Sequence, residues 1–328
     1  MLLCGILLLL FSTGSYRLPE FKSKHFNVEL ISDGVWAVIN NDNYGHAICN
    51  AGIIDLGDKT VIVDPLMNID AAEDLKKIAI QLTHKQATIV INTHYHNDHI
   101  RGNQVFLPAT IISSEWTKNE MAISEPEELA WEKANASKSL AKSKEQLKTA
   151  TGKNKEELPM WIGYYEGMIA TGKIIKTTLP NLTFKDSLWI YGNKRNIQLV
   201  ECKNGHSPSD VIVIAGNMVF MGDLLFIERH PYLADGDADS WKNHLQNLLG
   251  NNQLEKFLPG HGPMGDKKGV QLELNYINDL QQLVKTAIDN HQPDSIIKKT
   301  PVPAAYINWK FDRFYPANLE FLIQGMKH

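Results

Sequence analysis

The amino-acid sequence predicts an α+β fold in which β-sheets are covered by helices, and three observations carry that expectation. The opening is rich in Val and Ile in strand-like runs. The hydrophobic period then changes from two to three and four, and strand-like runs return after a Lys- and Ala-rich interval. With 328 residues the chain can bury one large core with extensions, and its 43% apolar and 21% charged composition is that of a soluble protein. A net charge of −4 without any long like-charge block leaves no basic face for phosphate backbones, so no nucleic-acid partner is expected.

Taken in order, Leu2 to Phe11 is an unbroken apolar run followed by Ser12, Thr13, Gly14 and Ser15. It is too short to span a bilayer and has the form of a signal peptide over residues 1–15, which places the protein in the periplasm or outside the cell; an uncleaved tail would leave it cytoplasmic. No other segment is long and apolar enough to be transmembrane. Asn27–Asn40 and Gly52–Asp64 are rich in Val and Ile, the second interrupted by a Gly57-Asp58 turn, and predict antiparallel strands and a hairpin. Over Ile69–His84 the apolar residues Ala72, Leu75, Ile78, Ala79 and Leu82 fall at helical spacing. Thr88–Thr93 follows as a short buried strand.

From about 115 to 176 the sequence is Lys- and Ala-rich with sparse apolar positions, which predicts an inserted pair of exposed helices jointed near Thr151–Asn154. Trp161, Tyr164, Tyr165 and Met168 could line a pocket, but aromatic residues at this spacing are more often core, and core is the expectation. Strands are expected again at Ser187–Tyr191, Ile197–Cys202, Val211–Ala215, Met218–Met221 and Phe257–Leu258. Val270, Leu274, Ile277, Leu280, Val284 and Ile288 then mark a long amphipathic helix, ahead of a Pro-punctuated tail. The main domain is thus expected over 20–270 and a C-terminal helical extension over 271–328. Cys49 and Cys202 each sit beside an apolar run and are expected to be free thiols.

The chemistry is concentrated in His94-Tyr95-His96-Asn97-Asp98-His99, directly after the strand Thr88–Thr93. Four potential ligands in six residues at a strand end do not serve packing, because buried imidazoles and carboxylates are costly unless paired or metal-bound. Residues two apart in an extended segment face the same way, so His94 and His96 can grip one ion, while Asp98 and His99, on a helix beginning near Asn97, splay towards a second. One loop would leave both ions short of ligands. Further donors are present at later strand ends, each beside a glycine that lets the backbone turn: His206, Asp223 and His261. Asp64, ending its strand, is expected to anchor this loop or support a ligand.

In this order, His-x-His-x-Asp-His, Gly-His, Gly-Asp and Gly-His-Gly, the sequence resembles the metallo-β-lactamase superfamily over about Val28 to Pro263. The resemblance implies a four-layer αβ/βα sandwich with metals at one edge of two sheets. It also implies that His94, His96 and His206 bind one ion, that Asp98, His99 and His261 bind the other, and that Asp223 bridges both. The implied cofactor is two Zn2+ per chain, a role Fe or Mn can also fill. The implied activity is that of a metallo-hydrolase in which a hydroxide bridging the ions attacks an ester, thioester, lactone or amide (β-lactam-like) bond of a small-molecule substrate, with Asp98 orienting it and returning a proton. β-Lactamases of the superfamily usually have Cys or Ser in place of Asp223, so the set looks more like that of glyoxalase II-type thioesterases, lactonases and phosphodiesterases; where the lactonases place a tyrosine, this chain has Phe226. A mononuclear iron persulfide dioxygenase is the alternative from another reaction class. The loop Phe226–Trp241 should lie over the metals, making His230, Tyr232 and Asp235 candidates for substrate contact, with His46 also near the mouth; Asp237 or Asp239 is expected to cap the helix starting near Ser240.

Overall fold

The computed structural model describes residues 21–327; the segment 1–15, expected to be a signal peptide, lies outside them. The chain runs through strands β1 (Phe26–Ser32), β2 (Val35–Asn40), β3 (Ala51–Asp55) and β4 (Thr60–Val63), helix α1 (Ile69–Thr83) and β5 (Ala87–Ile91). A short helix α2 (Asn97–Ile100) precedes β6 (Thr110–Ser114), α3 (Glu115–Leu147) and α4 (Gly152–Thr171). Then come β7 (Leu182–Phe184), β8 (Ser187–Ile190), β9 (Ile197–Lys203), β10 (Ser209–Ala215), β11 (Met218–Phe220), α5 (Ala238–Gly250), β12 (Lys256–Leu258), α6 (Lys267–Asp289), α7 (Asp294–Ile297) and α8 (Phe314–Lys327).

Strands β1 to β7 form one sheet in sequence order, and the second sheet has the order β12-β11-β10-β9-β8. Alternation along the strands explains why the sheets are sandwiched. Val61, Val63, Ile89, Ile91, Val211 and Val213 point into the core between the sheets, while the intervening Ile62, Val90 and Ile212 belong to the outer core shared with the helices. Both faces of the central strands are therefore buried, which gives the expected four-layer αβ/βα sandwich. The first sheet turns from antiparallel to parallel pairing at β4, where α1 provides the crossover to β5. Helix α6 buries Val270, Leu274, Ile277, Leu280 and Val284, each worth about 1.5–3 kcal/mol. No helix among the described residues is long and apolar enough to cross a membrane. Cys49 and Cys202 are free and buried.

Two features differ from the sequence reading. Strands β6 and β7 add an edge to the first sheet that composition did not signal. The inserted helices are not an exposed appendage either. Gly163 of α4 lies flush against the backbone of Tyr44, where any Cβ would collide, and α3 buries Met121, Leu129, Ala136, Glu125 and Glu132. The two carboxylates enclose Arg101: Glu125 Oε1 accepts from Arg101 Nε at 2.8 Å, and Glu132 accepts from Arg101 Nη1 and from Tyr164 Oη. All three charged side chains are less than 10% exposed.

Two predictions test this packing. Arg101→Met should destabilise the protein by about 3–5 kcal/mol, because two carboxylates lose their buried cation; the shift of the urea unfolding midpoint measures it. Glu273 on α6 is fully buried, accepts from Phe226 N at 3.2 Å, and is held well above the usual carboxyl range by burial. A carboxyl raised on folding contributes most below its unfolded value, near pH 4.5, and stability falls as pH rises towards the folded value. Glu273→Gln, which still accepts the bond, should therefore raise the denaturation midpoint at pH 8, with the gain shrinking towards pH 5.

Candidate metal centre

The candidate ligands converge where β5, the turn before α2, the loop after β9, the turn after β11 and the loop after β12 meet at one end of the sandwich. Their local backbone explains the convergence. The segment Asn92–His96 leaves β5 through a series of bends, its Thr93 carbonyl accepting from Val211 N of the second sheet at 2.7 Å, and α2 then starts at Asn97, with Asp98 and His99 buried. Gly260 is packed so closely against Asp223 that any Cβ would strike its carboxylate, so Gly-His-Gly is a requirement of the turn.

Ring-nitrogen partners fix the tautomers. His206 Nδ1 lies 3.0 Å from the Tyr232 carbonyl, which can only accept, so Nδ1 carries the proton and Nε2 a lone pair. Thr93 Oγ1 donates to Asp64 Oδ2 at 2.8 Å, so it accepts from His94 Nδ1 at 3.0 Å. His99 Nδ1 donates to the same Asp64 oxygen at 2.8 Å. His96 is reversed, with Nε2 donating to Asp235 at 3.1 Å. Four lone pairs are left: His94 Nε2, His96 Nδ1, His99 Nε2 and His206 Nε2.

These atoms form two groups around Asp223. In one, His206 Nε2 is 3.0 Å from His96 Nδ1 and 3.5 Å from Asp223 Oδ2, which is 3.8 Å from His94 Nε2. In the other, His99 Nε2 is 3.1 Å from Asp223 Oδ1 and 3.6 Å from Asp98 Oδ2, while His261 Nε2 is 3.3 Å from Asp223 Oδ2 and 3.4 Å from Asp98 Oδ2. Donors on a tetrahedron with bonds of about 2.0–2.1 Å stand about 3.3–3.4 Å apart, so both groups fit zinc. The bare atoms agree. Among the described residues His94 Nε2, His99 Nε2 and Asp223 Oδ1 are buried with no hydrogen-bond partner, and two lone pairs at 3.0 Å, as on His96 and His206, repel unless a cation lies between them.

The electrostatics divide the rings: against burial, Asp235 raises His96 above the usual imidazole range, and Cys49 with Asp98, Asp223 and Asp64 raises His99 well above it. Burial holds His94 well below the usual imidazole range and takes His206 down to about 3. Burial alone would push the Asp223 carboxyl up, yet His261 and His99 hold it well below the ordinary carboxylate value. Cys49, whose Sγ donates to the Asp98 carbonyl at 3.0 Å, is pushed up to about 12 by burial and remains a thiol.

A cavity of about 380 Å³ opens onto this centre, with His96, Asp98, His206, Asp223 and His261 among its lining residues. Trp161, Tyr164, Tyr165 and Met168, expected as core, line it as well, because α4 packs across its mouth. Tyr232 lines it as anticipated, its ring 5.3 Å from that of Phe314. His230 is corrected: it is fully buried with Nδ1 3.0 Å from Tyr276 Oη, among Tyr276, Trp309 and Tyr315, and is not part of the cavity wall. Asp235 bonds His96 and Tyr95 instead of facing the cavity. His46 bonds Asp70 at 2.7 Å, away from the cavity wall. Asp237 caps α5, accepting from Ser240 N at 2.7 Å. Residues that the sequence reading missed are Trp131, Phe311 and Arg313, which reach the cavity from α3 and from the tail.

Asp64 takes the anchor position, accepting from Thr93 N, Thr93 Oγ1 and His99 Nδ1. Asp64→Asn should weaken zinc binding about 10- to 100-fold, measured by competition with a chromogenic chelator, while far-UV circular dichroism stays unchanged.

Comparison with known proteins supports the fold. A metallo-β-lactamase from Pontibacter korlensis superimposes over 77% of this chain and 99% of its own, with TM-score 0.54 and 17% identity. The metallo-β-lactamase FIM-1 from Pseudomonas aeruginosa, in its mono-zinc form, superimposes over 77% of this chain and 95% of its own, with TM-score 0.53 and 15% identity. No curated protein sequence matches the chain. The family model described as "Metallo-beta-lactamase superfamily" matches residues 44–261, which include all seven candidate ligands, and the chain belongs to that superfamily.

Proposed function

We propose that the protein is a binuclear zinc-dependent hydrolase that cleaves an ester, thioester, lactone or amide (β-lactam-like) bond of a small molecule. The observation that carries this reading is the pair of donor groups sharing Asp223, with ring tautomers fixed so that bare nitrogens face inwards. His94, His96 and His206 would hold one ion, Asp98, His99 and His261 the other, and Asp223 both. When bound, two such ions lower the pKa of a shared water towards about 7 and polarise the carbonyl under attack.

The chain's own residues do the rest. Asp98 stands at the cavity floor between the His99 and His261 nitrogens. The carboxylate oxygen that does not face the His99 and His261 nitrogens would orient the attacking water, take up the proton released and pass it to the leaving group. Phe226 stacks on His261 with centroids 5.1 Å apart, and with Tyr232 and Trp161 it gives the cavity apolar walls that exclude bulk water and strengthen the interactions inside. A cavity of this size and aromatic character suits a small, partly apolar substrate.

Elemental analysis of protein purified without added metal should find about two zinc ions per chain; about one iron would overturn the proposal in favour of a mononuclear dioxygenase. Asp98→Ala should lower turnover about 10²- to 10⁴-fold on whichever of the thioesters, lactones or β-lactams the protein hydrolyses. Unaltered turnover in that variant would remove Asp98 from the reaction.

A further inference from the structure

Of the arginines among the described residues, Arg101 is paired with Glu125 and Glu132, Arg195 with Asp33 and Arg229 with Asp42. Arg313 has no carboxylate within ion-pair distance and no hydrogen-bond partner among them. It belongs to the tail beyond the 44–261 match, and it lines the same cavity as Asp98, Asp223 and His261. Its guanidinium carbon stands 3.4 Å from the centroid of the Trp161 ring and 4.9 Å from that of Phe314. Stacking uses the face of a guanidinium and leaves its N–H donors in the plane, in the fork that matches a carboxylate.

An arginine fixed by two aromatic rings, yet unpaired, costs side-chain entropy that no ion pair returns. The position has a use if an incoming anion completes it. Around it the cavity is aromatic, with Trp131, Tyr165 and Phe311 among its walls, and the acidic groups Glu128 and Glu132 stand on the α3 side, where an anion would be repelled. Among the described residues, the cavity thus has a reactive floor, apolar walls and Arg313 as its one unpaired cation.

We infer that Arg313 is the anchor for a carboxylate carried by the substrate, so that the substrate class is an amphiphilic acid. Its apolar body lies against the aromatic walls, its cleavable acyl group sits at the Asp98 and Asp223 end, and its carboxylate is forked by Arg313. The inference rests on the hydrolase reading for the identity of the reacting end, but its test does not depend on turnover.

The test is isothermal titration of the zinc-loaded protein with 6-phenylhexanoate and with 6-phenylhexan-1-ol, which differ in the charged end alone. The wild type should bind the acid at least about tenfold more tightly than the alcohol, the scale of a hydrogen bond to a charged group. Arg313→Gln should bring the acid down to the affinity of the alcohol, and Arg313→Lys should keep part of the preference, which also guards against a variant that misfolds. Equal or undetectable binding of both probes by the wild type overturns the inference. So does a preference for the acid that survives in Arg313→Gln, because the acid is then held elsewhere, at a metal ion for instance. A hydrolase with no preference for the acid loses this inference alone, whereas a protein that binds the acid through Arg313 and hydrolyses nothing loses the hydrolase reading alone.

Discussion

Each histidine turned towards Asp223 must present a bare nitrogen, and an imidazole alone does not choose which nitrogen that is. For four of them the choice is made by the atom on the far side of the ring, whereas His261 Nδ1 has no hydrogen-bond partner among the described residues. The Tyr232 carbonyl takes the proton side of His206, Thr93 that of His94, Asp64 that of His99 and Asp235 that of His96. Asp64 has the widest reach, because it also accepts from the Thr93 backbone and so sets the path of the segment that carries His94 and His96. It emerges from β4 in the left-handed region, with φ at 54°, a strained conformation for a residue other than glycine that three accepted hydrogen bonds hold in place. The centre is therefore organised one layer out from the donors, and the two sheets supply the rigidity that layer needs.

The same dependence extends to the inserted helices. Arg101 begins the turn that follows α2, and it is held from outside by Glu125 and Glu132 of α3 and through Glu132 by Tyr164 of α4. A helix pair that reads as a solvated appendage is thus bolted by buried charge to the segment carrying Asp98 and His99. A buried ion pair is weak as a source of stability and stronger as a device for register. Here it fixes which turn of α3 faces the cavity, and so which residues, Glu128 and Trp131 among them, form its wall.

What was legible in the sequence follows from this arrangement. The seven candidate ligands could be read because each lies at a strand end in a short motif, where residue type and spacing carry the message together. The sheets could be read where alternation ran for several residues. Strand β6 escaped because its end, Ser113-Ser114, is polar yet buried: Ser114 Oγ accepts from Ser209 Oγ, distant in the chain, and caps α3 by accepting from Thr117 N. Strand β7 is three residues long, and two of them are exposed. Helix α3 read as exposed because its buried face carries carboxylates, whose partner Arg101 gives no local sign. His230 read as a site residue because it follows the Asp223 turn, but its environment is made by Tyr276, Trp309 and Tyr315, which lie far along the chain. In each case the missing information is a partner that folding alone brings near.

The division of labour between the parts of the chain has a chemical consequence. Residues 44–261 contain every candidate ligand, and a centre of this kind is indifferent to what lies beyond the bond it attacks. Discrimination between substrates must come from contacts away from that bond, because binding energy gathered there is what positions the reacting group. The cavity walls away from the candidate ligands come largely from the inserted helices and the tail: Trp131 and Trp161 on one side, Phe311, Arg313 and Phe314 on the other. The fold is shared with solved structures at 15–17% identity, and the inserted helices and the tail add their residues to the cavity walls. A fold does not fix a substrate. On the proposed reading the substrate would be chosen by the aromatic enclosure and by Arg313, set over a centre whose geometry leaves that choice open.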